Sequence, residues 1–85
     1  MPTKSFNIKT EEFNRRGRSM IQHKLRVLLK CYTVYDFSMN EDDKTFEFKR
    51  SVRRNGVKRN DPRQLDGKYE LTIIDEETTK LTLWV

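Results

Sequence analysis

The chain lacks alanine altogether and has one cysteine and one histidine among its 85 residues. The single cysteine, Cys31, excludes an internal disulfide, and Cys31 and His23 together are too few ligands for a structural zinc site. Proteins of reducing compartments typically use cysteine this sparingly, so we expect a cytoplasmic protein. Because alanine is the strongest helix former, its absence favours a fold dominated by a sheet.

Long apolar stretches are also missing. No run approaches the roughly 20 apolar residues of a membrane span, and the N-terminus lacks the apolar segment of a signal peptide, so we expect no membrane contact. The three glycines stand far apart, which excludes a glycine-rich phosphate loop. We therefore expect no cofactor and no metal. At this length the sequence predicts a single domain over residues 1–85.

The first third of the chain predicts a strand followed by a helix. Alternation of apolar and polar residues indicates a strand over residues 4–9. Thr10 is a candidate helix N-cap, with Glu11 and Glu12 placed where the helix dipole favours carboxylates. One helix over residues 10–30 is predicted, which either bends at Gly17 or starts again near Ser19. Its apolar face repeats at helical spacing through Phe13, Met20, Ile21, Leu25, Leu28, Leu29 and Tyr32.

The rest of the chain alternates with the period of strands. A strand is predicted over residues 32–37, and a second carries Phe46, Phe48 and Val52 on one face, with the opposite face formed by Glu47, Lys49, Ser51 and Arg53. Asn55-Gly56 predicts a type I′ hairpin turn, because both central residues of that turn need positive φ.

After this turn a third strand should cover residues 57–60 and end at Asp61-Pro62, since proline cannot donate a ladder hydrogen bond. A fourth strand would then present Tyr69, Leu71 and Ile73, and a fifth would present Leu81, Leu83 and Val85. The predicted fold class is α+β: one N-terminal helix packed on a four- to five-stranded antiparallel, meander-like sheet, which either stays open or curls.

Charge is strongly patterned along the chain. The net charge is +5. Residues 1–30 carry eight cations and two acids, and residues 49–68 again carry eight and two. Residues 31–48 carry one cation and five acids, and residues 69–85 carry one and four. Basic and acidic blocks therefore alternate, and a folded surface could separate the two signs.

Two basic elements stand out. The polar face of the helix carries Arg15, Arg26 and Lys30, which either contact phosphates or an acidic partner or form a solvated face neutralised by the acidic loops 40–43 and 75–77. The predicted hairpin carries the denser cluster, because like charges packed together favour an oppositely charged partner. An alternative is that these cations only keep an edge hairpin soluble. The cluster comprises Lys49, Arg50, Arg53, Arg54, Lys58, Arg59 and, shortly after, Arg63.

Trp84 is a further candidate contact residue. In the last strand it points opposite Leu81 and Leu83, so a sheet covered by the helix on one face leaves it on the open face. There it could stack on a base or anchor a protein partner. If the sheet curls or dimerises, Trp84 instead becomes a packing residue.

These observations leave three functions open. The sequence favours a non-catalytic binding module that contacts nucleic acid or a nucleoprotein, with RNA slightly ahead of DNA because no recognition helix or zinc motif is present. The alternative is a small effector of phage or mobile-element type that presents its basic hairpin to an acidic surface of a host protein. The sequence leaves the oligomeric state open.

The third function is enzymatic. The element order, a strand and a helix before an antiparallel sheet with basic loops, resembles that of the RelE-type toxins, although a second helix before the sheet is missing. That resemblance implies RNA cleavage by Arg, Lys, Tyr or His around a scissile phosphate. His23 has no carboxylate near it in sequence, and Asp42-Asp43 lacks the spacing of a calcium loop. The sequence thus predicts no catalytic residues.

Overall fold

The computed structural model describes residues 3–85 and shows one helix on one face of a five-stranded antiparallel sheet. The strand order is β1-β5-β4-β3-β2, so β2 to β5 form a meander and β1 is added beside β5. The sheet stays open, with β1 and β2 at its edges, which confirms the predicted fold class. The elements are β1 (Thr3–Lys9), α1 (Thr10–Leu29), β2 (Thr33–Asn40), β3 (Thr45–Arg54), β4 (Val57–Ile73) and β5 (Thr78–Trp84).

Strand β4 joins two staggered halves of this sheet. Its end, residues 68–73, pairs with β5, and β5 pairs with β1. Its earlier part pairs with β3, and β3 pairs with β2. The halves overlap at Lys68, which lies between Thr45 and Trp84. The stagger makes the molecule elongated, with extents of 44 × 24 × 24 Å.

The predicted break at Asp61-Pro62 is wrong, because residues 57–73 form one continuous strand of 17 residues. The pairing of β3 with β4 jumps from Phe48↔Leu65 to Arg50↔Asp61. Residues 62–64 therefore bulge opposite Lys49. A bulge leaves residues outside the ladder, so the missing N–H of Pro62 removes no hydrogen bond there.

Burial along β3 departs from the predicted faces at Ser51. Phe46 and Phe48 are buried as expected. Beyond the bulge, Ser51 is fully buried although alternation placed it on the polar face, and Val52 is only partly buried. The Ser51 hydroxyl shares a hydrogen bond with the Thr33 hydroxyl on β2. This bond satisfies a polar group that would otherwise be costly to bury.

Helix α1 crosses both halves of the sheet and supplies the centre of the core. Ile21 and Leu25 are fully buried. The helix bends at Arg16, whose φ of −136° and ψ of 31° are not helical, immediately before the predicted position Gly17. The helix ends at Leu29, one residue earlier than expected, and Lys30 follows in the left-handed conformation with φ 53°. Side chains from all five strands form one hydrophobic core together with Ile21 and Leu25 of this helix: Ile8, Met39, Phe46, Phe48, Tyr69, Leu81 and Leu83.

The predicted N-cap at Thr10 is wrong. Thr10 is the first helical residue, and Lys9 at the cap position makes no side-chain capping bond. The Thr10 N–H instead donates to the Glu77 carbonyl over 2.9 Å, and the Thr10 hydroxyl shares a hydrogen bond with Thr79. A tertiary contact with the turn between β4 and β5 thus satisfies a helix N–H that has no partner within the helix.

We expect Gly67→Ala to destabilise the fold, because Gly67 lies where the two halves of the sheet meet. A Cβ there would lie 2.4 Å from the Trp84 carbonyl oxygen and 2.5 Å from the Phe46 ring. Overpacking of this kind costs about 1–3 kcal/mol, which chemical denaturation would measure. The control is Gly56→Asn, because a Cβ at Gly56 meets nothing within 4 Å and Asn tolerates positive φ. Equal stability of Gly67→Ala and the unmodified protein would contradict this packing.

Candidate functional site

The basic hairpin forms as the sequence predicts. Asn55 and Gly56 have φ of 53° and 77°, and Arg54 pairs directly with Val57, so the turn between the strands has the positive φ values expected. Strand β2 accompanies β3 only as far as the Thr33↔Ser51 pair. Residues 52–59 consequently project past the edge of the sheet as a two-stranded ribbon.

Four exposed cations occupy this ribbon, and we call them the tip cluster: Arg53, Arg54, Lys58 and Arg59. Arg53 and Lys58 are direct cross-strand partners, which places both side chains on one face. Like charges in such a pair are destabilising. Among the ion pairs of residues 3–85, none involves the tip cluster. These charges are thus held together without a carboxylate partner in the described part of the chain.

The three other predicted hairpin cations lie beside carboxylates at the base of the hairpin. Lys49 Nζ lies 3.6 Å from Asp36, and Arg63 lies 3.6 Å from Asp61. Arg50 Nε lies 4.0 Å from Asp61 and is buried without a hydrogen-bond partner in the described chain. The structure thus divides the predicted cluster into an unpaired tip and a base whose charges are partly compensated.

Tyr32 is a member of this surface that the sequence analysis missed, since it assigned Tyr32 to the apolar face of the helix. The residue lies beyond the helix and is 39% exposed. The guanidinium carbon of Arg53 lies 4.8 Å from the ring centroid, and Lys58 Nζ lies 5.7 Å from it. The Tyr32 N–H donates to the Ser51 carbonyl over 2.8 Å, which fixes the residue against β3. Only the folded register brings these residues together, so no local signal predicts the contact.

The end of the helix meets the hairpin base near Cys31. Burial raises the pKa of the Cys31 thiol, while the positive charges of Arg50 and Arg26 act against that rise. Arg26 and Lys30 are exposed at this end of the helix. Two of the three predicted helix cations therefore extend the basic surface of the hairpin.

Arg15 lies at the other end of the helix, in an acidic environment. It lines a cavity of about 410 Å³ together with Glu11, Glu12, Glu76 and Glu77. Asp75 is nearby in the same turn, and hydrogen bonds from the N–H groups of Glu77 and Thr78 lower its pKa. The turns that precede and follow β4 thus carry opposite charge: the basic hairpin comes before the strand and the acidic turn comes after it.

Trp84 has the orientation that the sequence predicts but lies away from the hairpin. It alternates with the buried Leu81 and Leu83 and is itself only partly buried. Its cross-strand partner on β4 is Lys68, eleven residues beyond Val57, so at about 3.3 Å per residue it lies on the order of 30 Å from the tip. It lines a separate cavity of about 510 Å³ with Lys44, Lys68 and Glu70 among its neighbours.

Comparison with known proteins provides no further assignment: no protein-family model matches the chain, and no curated protein or solved structure matches it significantly. In residues 3–85, His, Cys, Asp and Glu side chains form no group of three that could hold a metal ion. The described part of the chain also has no helix both long and apolar enough to cross a membrane.

The Cys31 thiol offers a test of where the helix and the hairpin meet. Because Arg26 and Arg50 favour the thiolate, replacing either with Gln should raise the pKa of Cys31 further above its ordinary value. The alkylation rate followed against pH would report this as a shift of its midpoint to higher pH. Arg15→Gln, at the acidic end, should leave the midpoint unchanged. An equal shift in all three variants would show that only net charge matters.

Proposed function

We propose that this protein is a small non-catalytic module that binds nucleic acid, RNA ahead of DNA, through the tip cluster. The observation that carries the proposal is the exposed, cross-strand arrangement of four cations that have no carboxylate partner within residues 3–85. Phosphate groups would relieve the repulsion among these cations, and release of condensed counterions from the nucleic acid would favour binding further.

The shape of the hairpin fits this partner. A projecting two-stranded ribbon is narrow enough to approach a nucleic-acid backbone without contact from the rest of the sheet. Arginine offers a planar fork of donors that matches two phosphate oxygens, and three of the four cations of the tip cluster are arginines. RNA is favoured because an exposed aromatic residue, Tyr32, adjoins the cations, and proteins read RNA largely through unpaired bases.

The charge distribution also favours one orientation of binding. The acidic turn after β4 lies at the far end of a molecule 44 Å long. A polyanion attracts the hairpin and repels the acidic end, so the field of the protein would turn the tip cluster towards the nucleic acid. Arg26 and Lys30 lie on the hairpin side and would add secondary phosphate contacts.

The proposal predicts salt-dependent binding of labelled RNA and DNA, measured by fluorescence anisotropy at several salt concentrations. If four phosphates are engaged, the logarithm of the association constant should fall with the logarithm of salt concentration at a slope of about −3. Replacing all of the tip cluster with Gln should abolish most of the binding. Each single replacement should reduce the slope by about one.

The matched control removes the same amount of charge elsewhere. A variant with Lys9, Arg15, Lys68 and Lys80 replaced by Gln has the same net charge as the tip variant, +1, since both remove four cations from +5. It should retain most of the affinity. Equal losses in the two variants would show that net charge and not the hairpin binds nucleic acid, and binding independent of salt would refute the proposal.

The effector and ribonuclease alternatives can be tested with the same protein and the same tip variant. A host protein that is retained from a lysate after nuclease treatment, and lost with the tip variant, would favour the effector alternative with an acidic protein surface as partner. Labelled RNA incubated with the protein and examined on a denaturing gel would reveal cleavage. Intact RNA is the outcome that the non-catalytic proposal requires.

A further inference from the structure

We infer that Tyr32, Arg53 and Lys58 form a stacking site for one unpaired nucleobase, so that the protein prefers single-stranded to duplex nucleic acid. This inference rests on the proposed function and assigns Tyr32 a role in it. The residues come from three elements: Tyr32 precedes β2, Arg53 is near the end of β3 and Lys58 is near the start of β4.

The first support is the exposure of the ring. Among the aromatic side chains of residues 3–85, Tyr32 is the exposed one, while Tyr35 and Trp84 are partly buried and Tyr69 is buried. The residue is 39% exposed, so part of its surface is accessible to a ligand although two cations lie against its ring. The backbone bond from Tyr32 to the Ser51 carbonyl holds the backbone of this residue against β3.

The second support is the pair of cations against the ring. Arg53 lies 4.8 Å and Lys58 lies 5.7 Å from its centroid, both within the range of a cation–π interaction. Because the two cations oppose each other across the strands, their attraction to the same ring offsets their mutual repulsion. Tyr32 thereby gathers two phosphate-binding groups around a surface on which a base can stack.

A single strand and a duplex would use this site differently. An unpaired base can stack on the Tyr32 ring or on the guanidinium plane of Arg53, while its own phosphate lies between the two cations. Bases inside a duplex have both faces covered by their neighbours, so a duplex could offer only phosphates. Stacking therefore strengthens the binding of single strands and not the binding of duplexes.

The test compares a 12-nucleotide oligouridine with a duplex RNA of the same length at constant salt. Loss of one base–aromatic stack weakens binding by about 5- to 150-fold. Tyr32→Leu should weaken binding of the oligouridine within this range and change duplex affinity by less than about twofold. Its salt slope should stay unchanged, whereas Arg53→Gln should reduce the slope for both ligands by about one. Tyr32→Phe should restore most of the affinity that Tyr32→Leu loses.

The outcomes separate this inference from the proposed function. If the unmodified protein binds neither ligand, the proposed function fails. If it binds both and Tyr32→Leu weakens them equally, Tyr32 only positions the cations and the stacking site is refuted. An unchanged affinity of Tyr32→Leu for the oligouridine would refute it as well. Ile73→Leu, at the acidic end, serves as the control and should bind as the unmodified protein does.

A second measurement does not depend on loss of binding. Tyr32→Trp in a Trp84→Phe background leaves the proposed site as the location of the single tryptophan. A base stacked on this ring should quench its fluorescence when the oligouridine binds, and the duplex should quench it little. Binding of the oligouridine by anisotropy without quenching would overturn the inference.

Discussion

Strand β4 is the constraint on which the rest of the structure depends, since of the five strands in residues 3–85 it alone pairs in both halves of the sheet. The halves overlap at Lys68, and the neighbouring Gly67 leaves room for the Phe46 ring and the Trp84 carbonyl to approach its backbone closely. Because of the stagger, each end of β4 is paired on one side only, the start with β3 and the end with β5. One end can therefore project as a basic hairpin while the other turns back as an acidic loop against the start of the helix.

Local patterns predicted the elements well, because helix periodicity, strand alternation and turn chemistry act over a few residues. The Asn55-Gly56 turn and the bend before Gly17 are examples. The failures arose where a distant partner decides the outcome. Pro62 indicates a strand end in sequence, but the bulge opposite Lys49 accommodates it within β4. Ser51 is buried where it meets Thr33 of the neighbouring strand β2, and the Thr10 N–H bonds to the Glu77 carbonyl, which is distant in sequence.

For the candidate site, sequence could find the cations but not their environment. Dense Arg and Lys around a hairpin turn identified the tip cluster, and alternation oriented Trp84 correctly. The ion pairs of Lys49 and Arg63 depend on where Asp36 and Asp61 fall in the folded register. Asp36 lies in an irregular part of β2 and has a φ of 51°. No sequence pattern predicts this irregularity. The contact of Tyr32 with the hairpin depends likewise on the pairing of β3 with β4.

The separation of positive and negative charge along the molecule affects the electrostatic potential that a partner meets at the hairpin. At 0.1 M salt the Debye length is about 10 Å, whereas the long axis measures 44 Å. The acidic turn is therefore too distant to neutralise the tip cluster, and the net charge of +5 understates the potential that a ligand meets at the hairpin. Near-neighbour groups can offset the repulsion there, and the Tyr32 ring contacts both Arg53 and Lys58. An aromatic residue in that position limits the cost of an unpaired cationic cluster without neutralising it, so the cluster keeps its full charge for a partner.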